Sequence, residues 1–323
     1  MRIIIVGYDQ MFSNLILGTL DSKNKIVGVF RHERVTIHPF FLFFKDIFAP
    51  GKDLSFIRSL KLPEIKARSV NSKEFYKAAL RLNPDVILVG SWSEKFKKPI
   101  IELPKVGTIN CHPSLLPRYR GPNPYMRVIM NGEKETGITL HLMDESLDTG
   151  PILLQKKIDI LQGFKGDTGE SLKNKCCATA RGAIAELFDT MNNEMIIPTN
   201  QSAKDASYYP QISEKDILIN FEKTSAQINA LLRALTPWQP AYIAHKRTFL
   251  QVGKVVFFEN KTKFHADKYK PGLILKKSNK AIWVLTGDDK IAKITGLKVL
   301  GKLGKIFAPF YLKYFVKSGD LCK

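Results

Sequence analysis

Short apolar runs alternate with stretches of helical periodicity in the first part of the chain. Ile3–Val6 and Val86–Val89 are short, rich in β-branched residues and bounded by turn residues, as buried parallel strands are. Lys25–Phe30 and Gly107–Cys111 predict two further strands. After the first strand, apolar residues form one helical stripe: Phe12, Leu15, Ile16 and Leu20. This alternation predicts an α/β domain with a Rossmann-like, mostly parallel sheet.

The pattern changes near residue 200. Thr199–Tyr209 is polar and rich in turn residues, and Ala226–Leu235 predicts a helix that stops before Pro237. The following strands are short and regularly spaced: Phe249–Val252, Val255–Phe258, Leu273–Leu275 and Ile282–Leu285. Such spacing predicts a small all-β barrel. We therefore predict two domains, at residues 1–200 and 201–323.

Charge is distributed unevenly between these parts. The 323 residues include 50 Lys and Arg against 30 Asp and Glu, a net charge of +20. Residues 201–323 carry +13 of it, so a polyanionic partner is expected to meet the C-terminal part. The alternative interpretation is a solvated basic surface without a specific partner.

Cysteine use and hydropathy predict a cytoplasmic protein. Cys111, Cys176, Cys177 and Cys322 include no C-x-x-C pair, which argues against a disulfide scaffold or a zinc site. The apolar run at Ile3–Val6 is shorter than the core of a signal peptide. No run approaches the roughly 18 apolar residues that a membrane span needs.

Two segments have an unusual aromatic content. Pro39–Phe48 contains five phenylalanines, and Ile306–Val316 mixes aromatic residues with Lys313. Packing between the two domains is the favoured interpretation of both. The other is an exposed patch for a partner or a membrane surface.

Candidate chemistry begins at the end of the strand Gly107–Cys111. Asn110 and His112 are two residues apart in an extended segment, so they face the same side and Cys111 faces away. Ligands bind at the carboxyl edge of such sheets. The first turn, Gly7–Phe12, lacks the G-x-G-x-x-G pattern, which argues against a dinucleotide site there.

Longer motifs surround this pair. The stretch Gly107–Gly121 reads GTINCHPSLLPRYRG. The motif Glu135–Thr139 leads into a predicted strand at Thr136–His141, and Leu147–Gly150 predicts a tight turn. Together they resemble the 10-formyltetrahydrofolate-dependent formyltransferases, and most closely those that act on methionyl-tRNA. Ile219–Phe221 and Arg233–Trp238 match the linker helix and the entry to that family's OB-like C-terminal domain.

The resemblance implies a catalytic domain at residues 1–200 and assigns roles to individual residues. Asn110, His112 and Asp148 fall on the family's catalytic residues. The predicted folate contacts are Ser114, Leu115, Leu116, Pro117 and Asp144. An amide, an imidazole and a carboxylate supply what formyl transfer to an amine requires, namely oxyanion stabilisation and a proton acceptor. The implied donor is 10-formyltetrahydrofolate, and no metal is required.

The sequence leaves two candidate acceptors open. The favoured acceptor is the amino group of methionyl-tRNA, bound through the basic C-terminal domain; the alternative is a nucleotide- or lipid-linked amino sugar. Arg31–Arg34 stands where the tRNA enzymes have a basic, glycine-containing loop, and Tyr119 replaces a tryptophan. Trp92-Ser93 replaces a Tyr-Gly pair. A hydrolase and a noncatalytic binding protein on the same scaffold are minor alternatives.

Overall fold

The computed structural model describes residues 1–299 and 304–322, with side chains described outside 300–307 and 323. These residues form two compact units. Unit 1 comprises Met1–Pro124, Glu135–Asp159 and Lys173–Pro210, and unit 2 comprises Tyr125–Lys134, Ile160–Leu172 and Gln211–Lys323. The division of domains at residue 200 stays a prediction.

A six-stranded sheet of order β2-β1-β3-β4-β5-β6 forms the centre of unit 1. Its strands are β1 (Arg2–Gly7), β2 (Lys25–Arg31), β3 (Val86–Gly90), β4 (Gly107–His112), β5 (Glu135–Leu142) and β6 (Ile152–Asp159). The first four run parallel, whereas β5 and β6 are antiparallel to their neighbours. The apolar runs that predicted strands are the buried centre of this sheet: Ile3–Val6 and Val86–Val89 are almost fully enclosed.

Helices stand between and after these strands along the chain. They are α1 (Asp9–Asp21), α2 (Glu33–Thr36), α3 (Pro39–Phe48), α4 (Lys52–Ser59), α5 (Lys73–Leu82), α6 (Lys98–Ile101), α7 (Pro124–Met130) and α8 (Gly169–Asn193). The stripe of α1 packs inward through Phe12, Leu15 and Ile16, as its spacing predicts, whereas Leu20, which was placed on the same stripe, is exposed.

Unit 2 contains two antiparallel sheets. Its elements are the 3-10 helix Glu214–Ile217, α9 (Ser225–Leu235), β7 (Tyr242–His245), β8 (Thr248–Gln251), β9 (Lys254–Glu259), β10 (Ile274–Lys277), β11 (Ala281–Leu285), β12 (Lys290–Thr295), β13 (Lys298–Val299) and α10 (Gly304–Tyr314). The strand orders are β10-β11-β12-β9 and β13-β8-β7. The predicted fold class, a mostly parallel α/β domain with a small β domain, is confirmed. No helix among residues 1–299 and 304–322 is long and apolar enough to cross a membrane.

The phenylalanine-rich segment is the main departure from the favoured sequence interpretation. Its five phenylalanines are exposed on α3, by 44% to 78%, and so form an exposed patch, the other interpretation of this segment. In the second aromatic segment, the side chains of Ile306 and Phe307 lie outside the described residues. Of the remainder, Phe310 and Phe315 are exposed, whereas Leu312 and Val316 are buried.

Candidate active site

The structure brings together the three residues that the sequence predicted to be catalytic. Asn110 and His112 stand at the carboxyl end of β4, and Asp148 lies in the loop between β5 and β6. The Asn110 amide donates to Asp148 Oδ1 at 3.2 Å, and His112 Nδ1 lies 3.6 Å from Asp148 Oδ2. Cys111 points away into the core, where its sulfur lies 3.9 Å from that of Met11.

The Asp148 carboxylate is buried and held in one orientation. Its residue has a left-handed backbone, with φ of 57°, and is 6% exposed. The backbone N–H of Gly121 donates to Oδ2 at 2.9 Å. Burial alone would raise the pKa of Asp148, but His112, His141 and this N–H together hold it well below its usual range. The carboxylate is therefore ionised at neutral pH.

Hydrogen bonds to carbonyl oxygens determine where the two nearby histidines carry protons. His112 Nε2 lies 2.8 Å from the carbonyl oxygen of Tyr119, which can only accept, so Nε2 is protonated. His141 Nδ1 lies 2.8 Å from the carbonyl oxygen of Leu142 and is protonated for the same reason. The neutral form of His141 therefore presents Nε2 as an acceptor toward the site.

His141 is a site residue to which the sequence analysis gave no role. It pairs with Asn110 across β4 and β5, and its Nε2 lies 3.2 Å from the Asn110 amide nitrogen. The two N–H groups of that amide thus have two partners, His141 and Asp148. The available signal was the position of His141 near the end of a predicted strand, but only the strand register places it opposite Asn110.

The predicted folate-contacting stretch follows β4 as a tightly held loop. Ser114 and Leu116 have buried side chains, while Leu115 and Pro117 are partly exposed. The Thr139 hydroxyl donates to the carbonyl of Ser114 at 2.6 Å and accepts from the N–H of Leu116 at 3.2 Å. A ligand beside this loop would therefore meet backbone and the side chains of Leu115 and Pro117.

Asp144, the remaining predicted folate contact, is exposed and shapes the β5–β6 loop. Its carboxylate accepts from the N–H of Ser146 at 2.9 Å and from the Thr149 hydroxyl at 2.6 Å. These bonds close the turn that carries Asp148. The structure therefore gives Asp144 a structural role, and its contact with folate stays a prediction.

A second residue missed by the sequence analysis, Gln201, connects two loops of the site. Its amide nitrogen donates to the carbonyls of Asp148 and Gly150, at 3.0 and 2.7 Å. Its amide oxygen accepts from the guanidinium of Arg120, at 2.7 Å. Gln201 lies in the polar, turn-rich segment Thr199–Tyr209, where nothing in the sequence marked it.

Two of the segments that depart from the pattern of the tRNA enzymes, Arg31–Arg34 and Trp92-Ser93, also lie together. His32 Nε2 lies 2.9 Å from the Ser93 hydroxyl, and its ring contacts those of Tyr8 and Trp92, with centroids 4.8 and 5.2 Å apart. Burial lowers the pKa of His32. This aromatic cluster stands past the carboxyl ends of β1, β2 and β3.

Comparison with known proteins identifies the class to which this fold and site belong. Residues 16–186 match the formyl transferase family, and residues 211–303 match the formyl transferase C-terminal domain. The chain belongs to this family and is a formyltransferase.

The most similar relatives share one activity by name. The chain is 32% identical over 276 residues to a methionyl-tRNA formyltransferase of Halothermothrix orenii, covering 84% of each protein. It is 29% identical to that of Thermotoga maritima, covering 94% of this chain and 92% of the relative.

Solved structures with the same fold are not all named as methionyl-tRNA formyltransferases. WlaRD, a sugar 3N-formyl transferase crystallised with dTDP and 5-N-formyl-THF, is 19% identical with a TM-score of 0.62, covering 94% of this chain and 99% of WlaRD. HypX from Aquifex aeolicus, in complex with tetrahydrofolic acid, is 17% identical with a TM-score of 0.61. The match covers 98% of this chain, which spans about half of HypX (48%). At these identities the likeness concerns the fold alone.

Proposed function

We propose that the chain transfers a formyl group from 10-formyltetrahydrofolate to the amino group of methionyl-tRNA. The main support for formyl transfer is the cluster of Asn110, His112 and Asp148 at the carboxyl edge of the sheet. Methionyl-tRNA as the acceptor is supported by relatives that are named methionyl-tRNA formyltransferases. The matches to them cover 84% to 94% of the chain and include residues of its C-terminal part.

The proposed donor site is the loop Ser114–Pro117 together with the Asp144–Asp148 turn. Both border the cluster: Ser114 follows His112 by two residues, and Asp148 ends the turn. The partly exposed side chains of Leu115 and Pro117 offer apolar surface for a flat ring, beside backbone groups that can bind its polar edge. Structures of the same fold hold tetrahydrofolate or formyl-THF, which supports this donor.

In the proposed mechanism, the acceptor amine attacks the formyl carbon and a tetrahedral oxyanion forms. His112 and the Asn110 amide stabilise that oxyanion by donating hydrogen bonds. Asp148 orients His112, and its negative charge helps remove the proton that the amine releases. Collapse of the tetrahedral carbon breaks its bond to the folate nitrogen, which takes up the proton that the acceptor amine released and leaves as the N–H of tetrahydrofolate. Both Asn110 N–H groups and the Nε2–H of His112 have partners in this structure, so we expect one amide N–H and the His112 N–H to exchange those partners for the oxyanion.

An amino sugar linked to a nucleotide or a lipid is the second candidate acceptor. It is favoured by α3, which places exposed phenylalanines after β2, where the tRNA enzymes have a basic loop. The cluster of Tyr8, His32 and Trp92 adds aromatic surface at the same edge of the sheet. A base or a sugar ring can stack on such surface.

A turnover assay with two acceptors tests the proposal. The full-length chain and 10-formyltetrahydrofolate are mixed with methionyl-tRNA in one reaction and with nucleotide-linked amino sugars in another. Formyl-methionyl-tRNA alone is the expected product. A formylated sugar alone would replace the proposed acceptor, and turnover of neither, with donor binding intact, would favour a noncatalytic protein. Donor hydrolysis without an acceptor would favour the hydrolase.

A further inference from the structure

Helix α3 directs its apolar side chains away from the protein. Phe40, Phe41, Phe43 and Phe48 are 61%, 66%, 62% and 78% exposed, and Leu42 is the one buried residue of the helix. At 100° per residue, the exposed phenylalanines and Ile47 occupy one continuous arc. Nothing among the residues of unit 1 covers this arc, and an exposed apolar patch of this kind marks a site of interaction.

Charged contacts hold the opposite face of α3 against the protein. Asp46 pairs with the fully buried guanidinium of Arg31, and Lys45 pairs with Glu33. Arg58 also donates to the carbonyl of Asp46, at 3.0 Å. In an ordinary surface helix, the apolar face packs inward and the charged face meets water. Here the orientation is inverted, and specific ion pairs maintain it.

The exposed charged side chains in the segment that contains α3 are positive. Glu33 and Asp46, together with Glu64, are paired with Arg31, Arg34 and Lys45. The exposed charged side chains between residues 31 and 61 are all basic: Lys52, Arg58 and Lys61. An apolar arc in a segment whose exposed charges are all positive is complementary to a surface that is apolar below and anionic above.

We propose that α3 docks on the surface of a bilayer that contains anionic phospholipid. The phenylalanine rings enter the boundary between headgroups and acyl chains, while Lys52, Arg58 and Lys61 lie near the phosphates. A helix of ten residues is about 15 Å long, so it lies on a bilayer and does not cross it. This inference goes beyond the proposed function, and it assigns the phenylalanines of α3 to lipid and not to stacking with an acceptor.

Helix α10 in unit 2 has a similar surface composition. Phe310, Tyr314 and Phe315 are more than half exposed, and Lys313 and Lys317 are exposed beside them. Aromatic rings interleaved with lysines are typical of segments that lie in a membrane interface. The recurrence of this chemistry on a second, separate helix supports a lipid surface as the occupant.

Sedimentation with vesicles tests the proposal on the full-length chain. We expect it to pellet with vesicles of equal parts phosphatidylglycerol and phosphatidylcholine, and to bind pure phosphatidylcholine at least about tenfold more weakly. The triple variant F40S/F44S/F48S should lose binding to the mixed vesicles by about tenfold or more. The control variant L80S/M195S/I197S removes three other exposed apolar residues of unit 1 and should bind like the wild type.

A second variant tests the charge component separately. K52E/K61E reverses two exposed charges and should reduce the preference for phosphatidylglycerol while leaving the weak binding to phosphatidylcholine unchanged. The proposal is overturned if the wild type stays in the supernatant with the mixed vesicles, or if F40S/F44S/F48S binds them unchanged. It is also overturned if that variant abolishes a self-association of the chain, because a second copy would then cover α3. A loss of tRNA affinity with vesicle binding intact would likewise assign α3 to tRNA.

Discussion

The Asp148 carboxylate is the residue on which the proposed chemistry depends most directly. Asp148→Asn keeps the shape of the side chain and tolerates the left-handed backbone, but it removes the negative charge beside His112. We expect turnover to fall by about three orders of magnitude, as for other carboxylates that orient a catalytic histidine. Single-turnover formyl transfer measures this loss. A variant with near-normal turnover would contradict the role assigned to Asp148.

The lowered pKa of Asp148 also makes a prediction about stability. A carboxyl whose folded-state pKa lies below its unfolded value of about 3.9 stabilises the fold above that pH and loses this contribution as the pH falls. The difference in unfolding free energy between the wild type and Asp148→Asn should therefore be constant from about pH 7 to 5 and shrink below about pH 4. Urea unfolding across this range measures it. A difference that persists unchanged at pH 3 would contradict the lowered pKa.

Gly121 positions Asp148 through its backbone N–H. Its φ is 98°, and a Cβ at this position would lie 2.4 Å from the carbonyl oxygen of Tyr209. Gly121→Ala should displace the loop, weaken the bond to Asp148 and reduce turnover by about tenfold or more. Gly132→Ala is a matched control, because Gly132 has a φ of 70° with open space around it. Equal turnover in the two variants would mean that the Gly121 N–H is unimportant.

The sequence predicted some of these residues and missed others for a physical reason. Asn110 and His112 were placed on one side by the alternation of a single strand, and Asp148 by its motif. His141 and Gln201 reach the site through the register of β5 and through a returning loop, respectively. Such long-range pairings leave no local pattern in the chain.

At the scale of elements, β2, α2 and α3 are joined by one buried ionic cluster. Arg31 is fully buried and pairs with Glu33, Asp46 and Glu64. Burial alone would raise the pKa values of Glu33 and Glu64, but the cations beside them hold both below the ordinary range. The free energy of this cluster therefore depends on keeping every carboxylate paired.

Removing the central cation should destabilise the fold strongly. Arg31→Met leaves three partly buried carboxylates with only Arg34 and Lys45 to compensate them, and we expect a loss of about 3 to 5 kcal/mol. Arg58→Met, on an exposed side chain of α4, should cost less than about 1 kcal/mol. Urea unfolding of both variants provides the comparison. A loss below 1 kcal/mol for Arg31→Met would mean that the cluster does not hold α3.

The elements themselves were predictable to different degrees. Strands with continuous apolar runs, such as β1 and β3, were found near their observed bounds. The strand β12 was missed, since its lysines interrupt the apolar run and a turn precedes it. The orientation of α3 could not be read from its composition, because a face dominated by phenylalanine is normally buried.

At the scale of the whole molecule, the net charge of +20 bears on the choice of acceptor. Most of it lies in residues 201–323, where exposed lysines such as Lys261, Lys263 and Lys268 have the chemistry to contact phosphates. Binding of a polyanion by such contacts releases counterions, so its affinity falls steeply as salt increases. A small acceptor held by a few contacts lacks this dependence.

The salt dependence of the Michaelis constant therefore distinguishes the two acceptor classes. If methionyl-tRNA is the acceptor, its Michaelis constant should rise by roughly tenfold or more between about 50 and 200 mM salt. K261E/K263E/K268E should raise it further and flatten the salt dependence, because three phosphate contacts are lost. The matched variant K73E/K77E/K97E makes the same charge change on exposed lysines of unit 1 and should have a smaller effect. A Michaelis constant that is insensitive to salt, with both variants like the wild type, would instead indicate that the basic C-terminal part does not bind the acceptor and would favour an amino sugar.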